Sequence, residues 1–301
     1  MRTSQSDRSL RDLRTISTLI TGATGALGRS TIDSLLARGV DGADIIATGR
    51  NPAALAPYAE RGIRTARIDY DEPGTISAAL RTAGDVERLL LISGGLGGNR
   101  VAQHRAVVEA AASAGVRRLV YTSTLPNLIL SPDHAATEAL IEQVGVPATI
   151  LRNGYYAENM LMSLESIRAT GTYVTSAGRG GIAFAAWDDL ARAAARVLSE
   201  DEHTGTTYTL TGDTSWDADG VAAAFTAVLG TSVAAVRLSP EEHLAALTGA
   251  GVDEGLAQYL VAFDGNVRDG LLEPHPDHDL SRLLERPAMS LRDALGRALA
   301  V

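Results

Sequence analysis

Apolar residues in the first half of the chain come in short unbroken runs, each followed by a stretch with helical spacing. "TISTLIT" (Thr15 to Thr21) is β-branched and apolar, and after a glycine turn comes the helix-like "ALGRSTIDSLLAR". The couplet then repeats as "DIIATG" with "PAALAPYAERG", "IRTARID" with "GTISAALRTA", and "ERLLLIS" with "NRVAQHRAVVEAAASAG". "VRRLVYTS" with "DHAATEALIEQVG" follows, and "PATILR" closes the series. Strands with apolar residues at consecutive positions are buried on both faces, as in a parallel sheet covered by helices on each side. Six such units predict an α/β fold with a Rossmann-type, doubly wound parallel sheet.

Beyond Arg152 the rhythm changes. "NGYYAENMLMSLESIRAT" predicts a helix, "GTYVTSAGRGGIAFA" a glycine-rich hairpin, and "WDDLARAAARVLSE" an amphipathic helix. "GTTYTLTG" reads as an edge strand returning to the main sheet, and "AAVRLS" as a single strand among short helices. The expected organisation is an N-terminal extension over 1–14 that frays and a dinucleotide-binding domain over 15–152, to which 186–212 return. A smaller α/β C-terminal substrate lobe would then be built from 153–185 and 213–301.

Composition narrows the chemistry. The chain has no cysteine, which removes disulfides, thiolate nucleophiles and Cys-ligated metals. All 27 basic residues are arginine. Without lysine there can be no Schiff base, no P-loop lysine and no Tyr-Lys proton relay. The net charge of -9, with arginines scattered, argues against nucleic acid as a partner. The first fourteen residues lack an apolar signal-like core, and no apolar run approaches membrane-spanning length. These features predict a soluble, cytoplasmic protein with no membrane partner; whether it forms a homo-oligomer is left open.

"TGATGALG" sets Gly22, Gly25 and Gly28 at the first strand-helix junction. Gly22 permits the tight turn, Gly25 lets backbone approach a pyrophosphate, and Gly28 allows close helix-strand packing, with the helix N-terminus facing the phosphates. Strand two ends in Arg50 where an NAD site would offer a carboxylate. A guanidinium suits a 2′-phosphate, so NADPH is the expected cofactor, with Arg29 as a second contact. Asp69 ends strand three and can meet the adenine or serve as a plain turn residue. Ser93, Gly94 and Gly95, after strand four, can lie against the nicotinamide ribose or form a mobile loop.

Taken together, "LITGATGALG", "TGRNP", "LLLIS", "QHRAVVEAAASAGV", "VYTS", "HAATE" and "LRNGYYAEN" resemble the NmrA-like, atypical branch of the short-chain dehydrogenase/reductases. Within that branch the chain is similar to the bacterial NADPH-dependent quinone oxidoreductases. The resemblance spans roughly residues 16 to 301 and is densest up to Asn159. It implies NADP(H) held by the Gly22–Leu27 turn (Gly22, Ala23, Thr24, Gly25, Ala26, Leu27), by Arg50, and by Ser93 to Gly95. It also implies contacts from Asn153, Gly154, Tyr155, Tyr156 and Glu158, and quinones as hydride acceptors without flavin or metal. The N-terminal extension and the loop "LPNLILSP" depart from the family pattern, and the loop bears on acceptor identity.

Where short-chain dehydrogenases carry tyrosine and, four residues on, lysine, this chain has His134 and Glu138. Reducing a simple ketone makes an alkoxide whose conjugate acid is about as weak as water, pKa roughly 15.7. A reduced quinone oxygen is a phenolate, with a pKa of about 10 like tyrosine's. Each unit of that gap removes about 1.4 kcal/mol of required acid assistance. A lysine-free site therefore suits quinones. The expected catalytic set is Ser123 binding the acceptor oxygen and His134 delivering a proton, with Glu138 one turn on orienting His134 or raising its pKa. An exposed helix-start pair without catalytic duty is the alternative for His134 and Glu138. Tyr155 and Tyr156 are expected as walls for a flat acceptor, and His104 as a core or supporting histidine. "HPDHD" (His275 to Asp279) reads as a polar loop, not a metal site. The leading function is NADPH-dependent reduction of a quinone or similar planar conjugated acceptor. A redox-sensing NADP(H)-binding regulator and a reductase of polycyclic carbonyl compounds are the other readings.

Overall fold

The computed structural model describes residues 16–94, 99–129 and 131–300. The expected extension over 1–14 lies outside them. In chain order the first half runs β1 (Thr18–Ile20), α1 (Ala26–Ala37), β2 (Ile45–Gly49), α2 (Ala56–Glu60), β3 (Arg64–Arg67) and α3 (Pro73–Ala83). It continues with β4 (Arg88–Leu91), α4 (Arg100–Ser113), β5 (Arg118–Thr124), α5 (Ser131–Val144) and β6 (Ala148–Asn153). A 3-10 turn over Ala157–Ser163 then leads into α6 (Leu164–Thr170) and β7 (Thr172–Thr175). The rest comprises α7 (Trp187–Ser199), β8 (Thr207–Leu210), α8 (Ala218–Leu229), β9 (Ala234–Arg237), α9 (Pro240–Gly249), α10 (Glu254–Arg268), α11 (Asp279–Leu284) and α12 (Leu291–Leu299).

The main sheet has the order β3-β2-β1-β4-β5-β6-β8 and is parallel throughout. This is the doubly wound α/β fold that the six couplets predict. Consecutive apolar residues in the central strands β1, β4 and β5 divide between two cores, whereas β3 (Arg-Thr-Ala-Arg) is an exposed edge. Ile20, Leu90 and Val120 face α1 and α7, whereas Leu19, Leu89, Leu91 and Tyr121 face the side of α3, α4 and α5. Side chains on a strand alternate in direction, so an unbroken apolar run feeds both layers.

A third core fills the C-terminal lobe around Phe184, Phe225, Phe263 and Leu295. One expectation fails here. Residues 171–185 do not fold into a hairpin: β7 pairs in parallel with β9, about sixty residues on, Thr172 beside Ala234. The Gly180 backbone instead packs on Val267, where an added Cβ would lie 2.2 Å from the carbonyl oxygen.

Helix α7 is held at both ends by side chains from elsewhere. The Glu158 carboxylate accepts from the Trp187 N–H at 3.0 Å, at the positive end of the helix. At the other end, buried Arg118 donates to the Val197 and Glu200 carbonyls at 2.6 and 2.7 Å, and Arg88 reaches the Leu198 carbonyl and Asp201. Burial and the neighbouring Arg88 bring Arg118 down to about 10.

Candidate active site

The order of the sheet reverses between β1 and β4, and ligands of such folds sit beyond the carboxyl ends of the strands at that point. A cleft of about 630 Å³ occupies this position. Gly22, Thr24 and Gly25 line it from β1, Arg50 from β2, Asp69 from β3, and Ser93 and Gly94 from β4. Surface hollows of about 770 and 1010 Å³ lie elsewhere, the first along α3 and α4, the second around α12. Strand-end placement, not size, marks the site.

The glycines divide the work much as their spacing suggests. Gly22 takes φ +59°, a left-handed conformation that favours glycine. A Cβ on Gly28 would lie 2.3 Å from the Gly22 carbonyl oxygen and 2.8 Å from the Ala23 Cα, so α1 sits directly on the turn. Ala23 and Leu27 are buried in the sheet core and Ala26 opens the helix, so these three support the turn from behind. Gly25 caps α1 with no side-chain hydrogen bond, and the first turn has no acidic residue. Its N–H groups are left for an anion. The Arg50 side chain is exposed and pairs with no carboxylate among the described residues. Arg29 is exposed on α1 and does not line the cleft. Gly95 lies outside the described residues.

Two lining residues carry no signal in the spacing. The Tyr70 hydroxyl lies 2.6 Å from Thr21 Oγ1 and 2.9 Å from the Ile92 carbonyl, tying the ends of β1 and β4 together. Gln103 Nε2 donates to Asp71 Oδ1 at 2.7 Å, tying α4 to the loop after β3.

Beyond β5 and β6 the site is built from a different set of contacts than the sequence suggests. Glu138 does not orient His134. Its carboxylate accepts from Ser123 Oγ at 2.5 Å and from Arg152 Nε and Nη2 at 3.1 and 2.6 Å. Burial alone would push Glu138 up, but the hydrogen bonds and charge of Arg152, with the Ser123 hydroxyl, hold it below the usual range. Arg152 is the member that sequence reasoning missed. The sheet register sets it beside Ser123 on the neighbouring strand. The one available signal was a charge near the end of an otherwise apolar strand. With its proton directed at Glu138, Ser123 offers lone pairs to a ligand, not the expected hydrogen bond to an acceptor oxygen.

His134 is buried, and its Nδ1 lies 2.8 Å from the hydroxyl of Tyr121, itself fully buried on β5. Burial, with the Arg100 charge, brings His134 down to about 4, so it is neutral near pH 7. The expectation of a histidine that delivers a proton near neutrality is therefore corrected. His104 is a buried core residue, Nδ1 3.0 Å from Thr137 Oγ1, and burial brings it to about 3.

The segment after β6 lies apart from the strand-end cleft. Asn153 is buried, with Nδ2 3.3 Å from the Tyr156 hydroxyl and Oδ1 without a partner. Gly154 backs onto β8, where a Cβ would lie 2.9 Å from the Leu210 carbonyl. Tyr155 stacks at 4.4 Å on Phe263 and 6.0 Å on Phe184, an aromatic wall of the C-terminal lobe, and burial pushes its hydroxyl up to about 12. Tyr156 packs edge-on to Trp187. Glu158 is committed to the N-terminus of α7.

Among the described residues one group has metal-ligand spacing, Glu200, Glu202 and His203, at the far end of α7. Glu200 is already paired with Arg38 and Arg196, which fill its coordination with cations. No helix of the described residues is long and apolar enough to cross a membrane.

An uncapped helix N-terminus on a glycine turn and an exposed guanidinium after β2 that pairs with no carboxylate among the described residues fit a phosphorylated dinucleotide. The fold and site thus define a dinucleotide-binding α/β protein of the short-chain dehydrogenase type that lacks the Tyr-Lys pair. Within that class the chain belongs to the NmrA-like family, whose pattern it matches over residues 15–289. It is 39% identical over 280 residues to quinone oxidoreductase 2 of Escherichia coli (strain K12), covering 91% of this chain and 96% of that protein. The crystal structure of the E. coli NADPH-dependent quinone oxidoreductase in complex with NADPH superposes with a TM-score of 0.86 at 38% identity, over 94% of this chain and 99% of that one. The Citrobacter sp. triphenylmethane reductase complexed with NADP(H) gives 0.83 at 33% identity, over 94% of this chain and all of the other.

Proposed function

We propose that this chain is an oxidoreductase that moves a hydride from NADPH to a quinone or a similar planar conjugated acceptor. One observation carries the reading: the cleft is built for a phosphorylated dinucleotide, yet the wall beside it holds no strong proton donor among the described residues. His134 is neutral, Glu138 is ionised and locked between Ser123 and Arg152, and burial keeps the Tyr155 proton on its oxygen. Such a site cannot protonate an alkoxide efficiently, but a phenolate product needs little acid assistance. The similarity to a named quinone oxidoreductase over nearly the whole chain supports the same acceptor class.

NADPH, when bound, supplies the hydride; the protein supplies binding and position. The turn from Gly22 to Gly25 and the N-terminus of α1 bind the pyrophosphate, and Arg50 the 2′-phosphate. The Ser93 and Gly94 backbone borders the ribose. Arg152 and Glu138 fix the Ser123 hydroxyl. Tyr155, partly buried and backed by the core residues Phe184 and Phe263, offers an aromatic ring to a flat acceptor. His134 assists by hydrogen bonding alone, so the one proton that converts the hydroquinone anion left by hydride transfer into the hydroquinone comes from solvent.

The test is the loss of reduced-nicotinamide absorbance with a panel of quinones, simple ketones and cationic dyes, with NADH in parallel. Turnover of quinones and not of simple ketones is expected. Tight NADPH binding without turnover on any acceptor would sink the enzyme reading in favour of a redox-sensing regulator.

A further inference from the structure

We infer that Tyr121 is a positioning residue: by donating its hydroxyl proton to His134 Nδ1, it fixes the histidine as the Nε2–H tautomer and so leaves one N–H open to a ligand. The role of His134 rests on the reductase reading above; the tautomer does not.

The direction of each proton follows from the network. Thr137 Oγ1 donates to the Asp133 carbonyl at 2.8 Å, one turn back in α5. Its lone pairs must then meet His104 Nδ1, 3.0 Å away, as an acceptor, which places the His104 proton on Nδ1. The Tyr121 hydroxyl is 3.5 Å from that same protonated nitrogen and can only accept from it. The phenolic proton has its one short, well-aligned acceptor in His134 Nδ1 at 2.8 Å, Thr137 being a weaker neighbour of the same hydroxyl. An imidazole whose Nδ1 accepts carries its proton on Nε2.

The surroundings hold this arrangement in place. Tyr121 is fully buried on the central strand β5, and the two rings lie 29° from parallel with centroids 6.0 Å apart. His104 stands edge-on to Tyr121 from α4. His104 Nε2 is sealed without a partner, as expected of the bare lone pair left by an Nδ1–H tautomer. His134 Nε2 is not among the sealed atoms and has no partner among the described residues, so it is the ring nitrogen left to a ligand. The charged groups facing His134 are Arg100 from α4 and Asp133 and Glu138 from its own helix.

A neutral N–H is a weaker acid than a hydroquinone, so it stabilises charge on the acceptor oxygen without giving up its proton. One such donor contributes roughly 100- to 1000-fold where charge develops in a closed site.

The experiment is long-range ¹⁵N–¹H correlation of ¹⁵N-histidine-labelled full-length protein near pH 7, with His134 assigned by its loss in His134→Gln. The expected pattern is a proton-bearing Nε2 and a bare Nδ1 on His134, and the reverse on His104. In Tyr121→Phe the His134 signals move toward a mixture of tautomers, and kcat for quinone falls at least roughly tenfold with the NADPH Kd unchanged. Labelling with 3-fluorotyrosine, a stronger donor of nearly the same shape, gives an arm that does not depend on the variant folding: the His134 Nδ1 resonance shifts. A proton on His134 Nδ1 in the wild-type protein overturns the inference. So does a His134 pattern indifferent to Tyr121→Phe or to fluorination. Absence of quinone turnover in the wild type, with the expected tautomers present, would defeat the reductase reading and leave the tautomer assignment intact.

Discussion

Replacing Glu138 with glutamine removes one charge from the wall of the site while leaving its shape. Three hydrogen bonds converge on that carboxylate, from Ser123 Oγ, Arg152 Nε and Arg152 Nη2. Glutamine keeps one acceptor oxygen, but its amide nitrogen must face a donor, so either Arg152 or Ser123 loses its partner. Orphaning one member of a fully buried ion pair costs about 3–5 kcal/mol, whereas a fully exposed pair is worth about 0–1. The side chains here are 18% and 33% exposed, which places the pair between those limits, at about 2 kcal/mol. For a chain of this size that is a fall of about 3 °C in Tm. The cleft residues on β1 to β4 do not touch the triad, so NADPH affinity stays within about twofold. Thermal melts of wild type, Glu138→Gln, Arg152→Met and the double variant form a cycle. The double variant should recover part of the loss, because removing both partners leaves no orphaned charge. A change in Tm under about 1 °C for Glu138→Gln, with no coupling in the cycle, would refute the argument that the pair is desolvated.

Other outcomes follow from the same structure. Arg50→Ala should weaken NADPH binding by roughly 10- to 100-fold, the worth of one or two charge-assisted hydrogen bonds, and leave NADH nearly unchanged. Calorimetric titration of both nucleotides decides it, and an equal loss for the two would remove Arg50 from the 2′-phosphate. Gly28→Val should abolish the rise in Tm that NADPH gives the wild type, since its Cβ meets the Gly22 carbonyl at 2.3 Å. His104 and His134 are held neutral, at about 3 and about 4, against an unfolded value near 6.5. The unfolded chain therefore binds more protons, and stability is full above pH 6.5 and falls as pH drops toward 4. Each group contributes a slope of about 1.4 kcal/mol per pH unit in that window. Urea midpoints against pH should lose about one proton's worth of slope in His104→Gln; an unaltered slope would contradict the buried neutral ring.

The strand-helix couplets and the glycine turn were legible because their information is local: runs of two to four apolar residues in most strands, and glycines at i, i+3 and i+6. Arg50 was legible for the same reason, being the residue after β2. What could not be read depends on register between distant segments. Arg152 meets Glu138 because β6 lies beside β5 with Ser123 opposite Arg152. Spacing along α5 alone suggested a His134–Glu138 pair, and the helix instead sends those two side chains to different partners on β5, Tyr121 and Ser123. The β7–β9 pairing was hidden likewise, since a glycine-rich run does not reveal a parallel partner sixty residues on.

The double anchoring of α7 bears on how the protein could be recombined with its relatives. The visible seam falls after Asn153, where β6 ends and the chain leaves the sheet. A chimera cut there would exchange the C-terminal lobe but take Glu158, which caps α7, from a different parent than Arg88 and Arg118, which hold the other end. The helix is thus a shared possession of both halves. The unit that can be transplanted without loss is the lobe together with α7 and with the two strand-borne arginines that receive it.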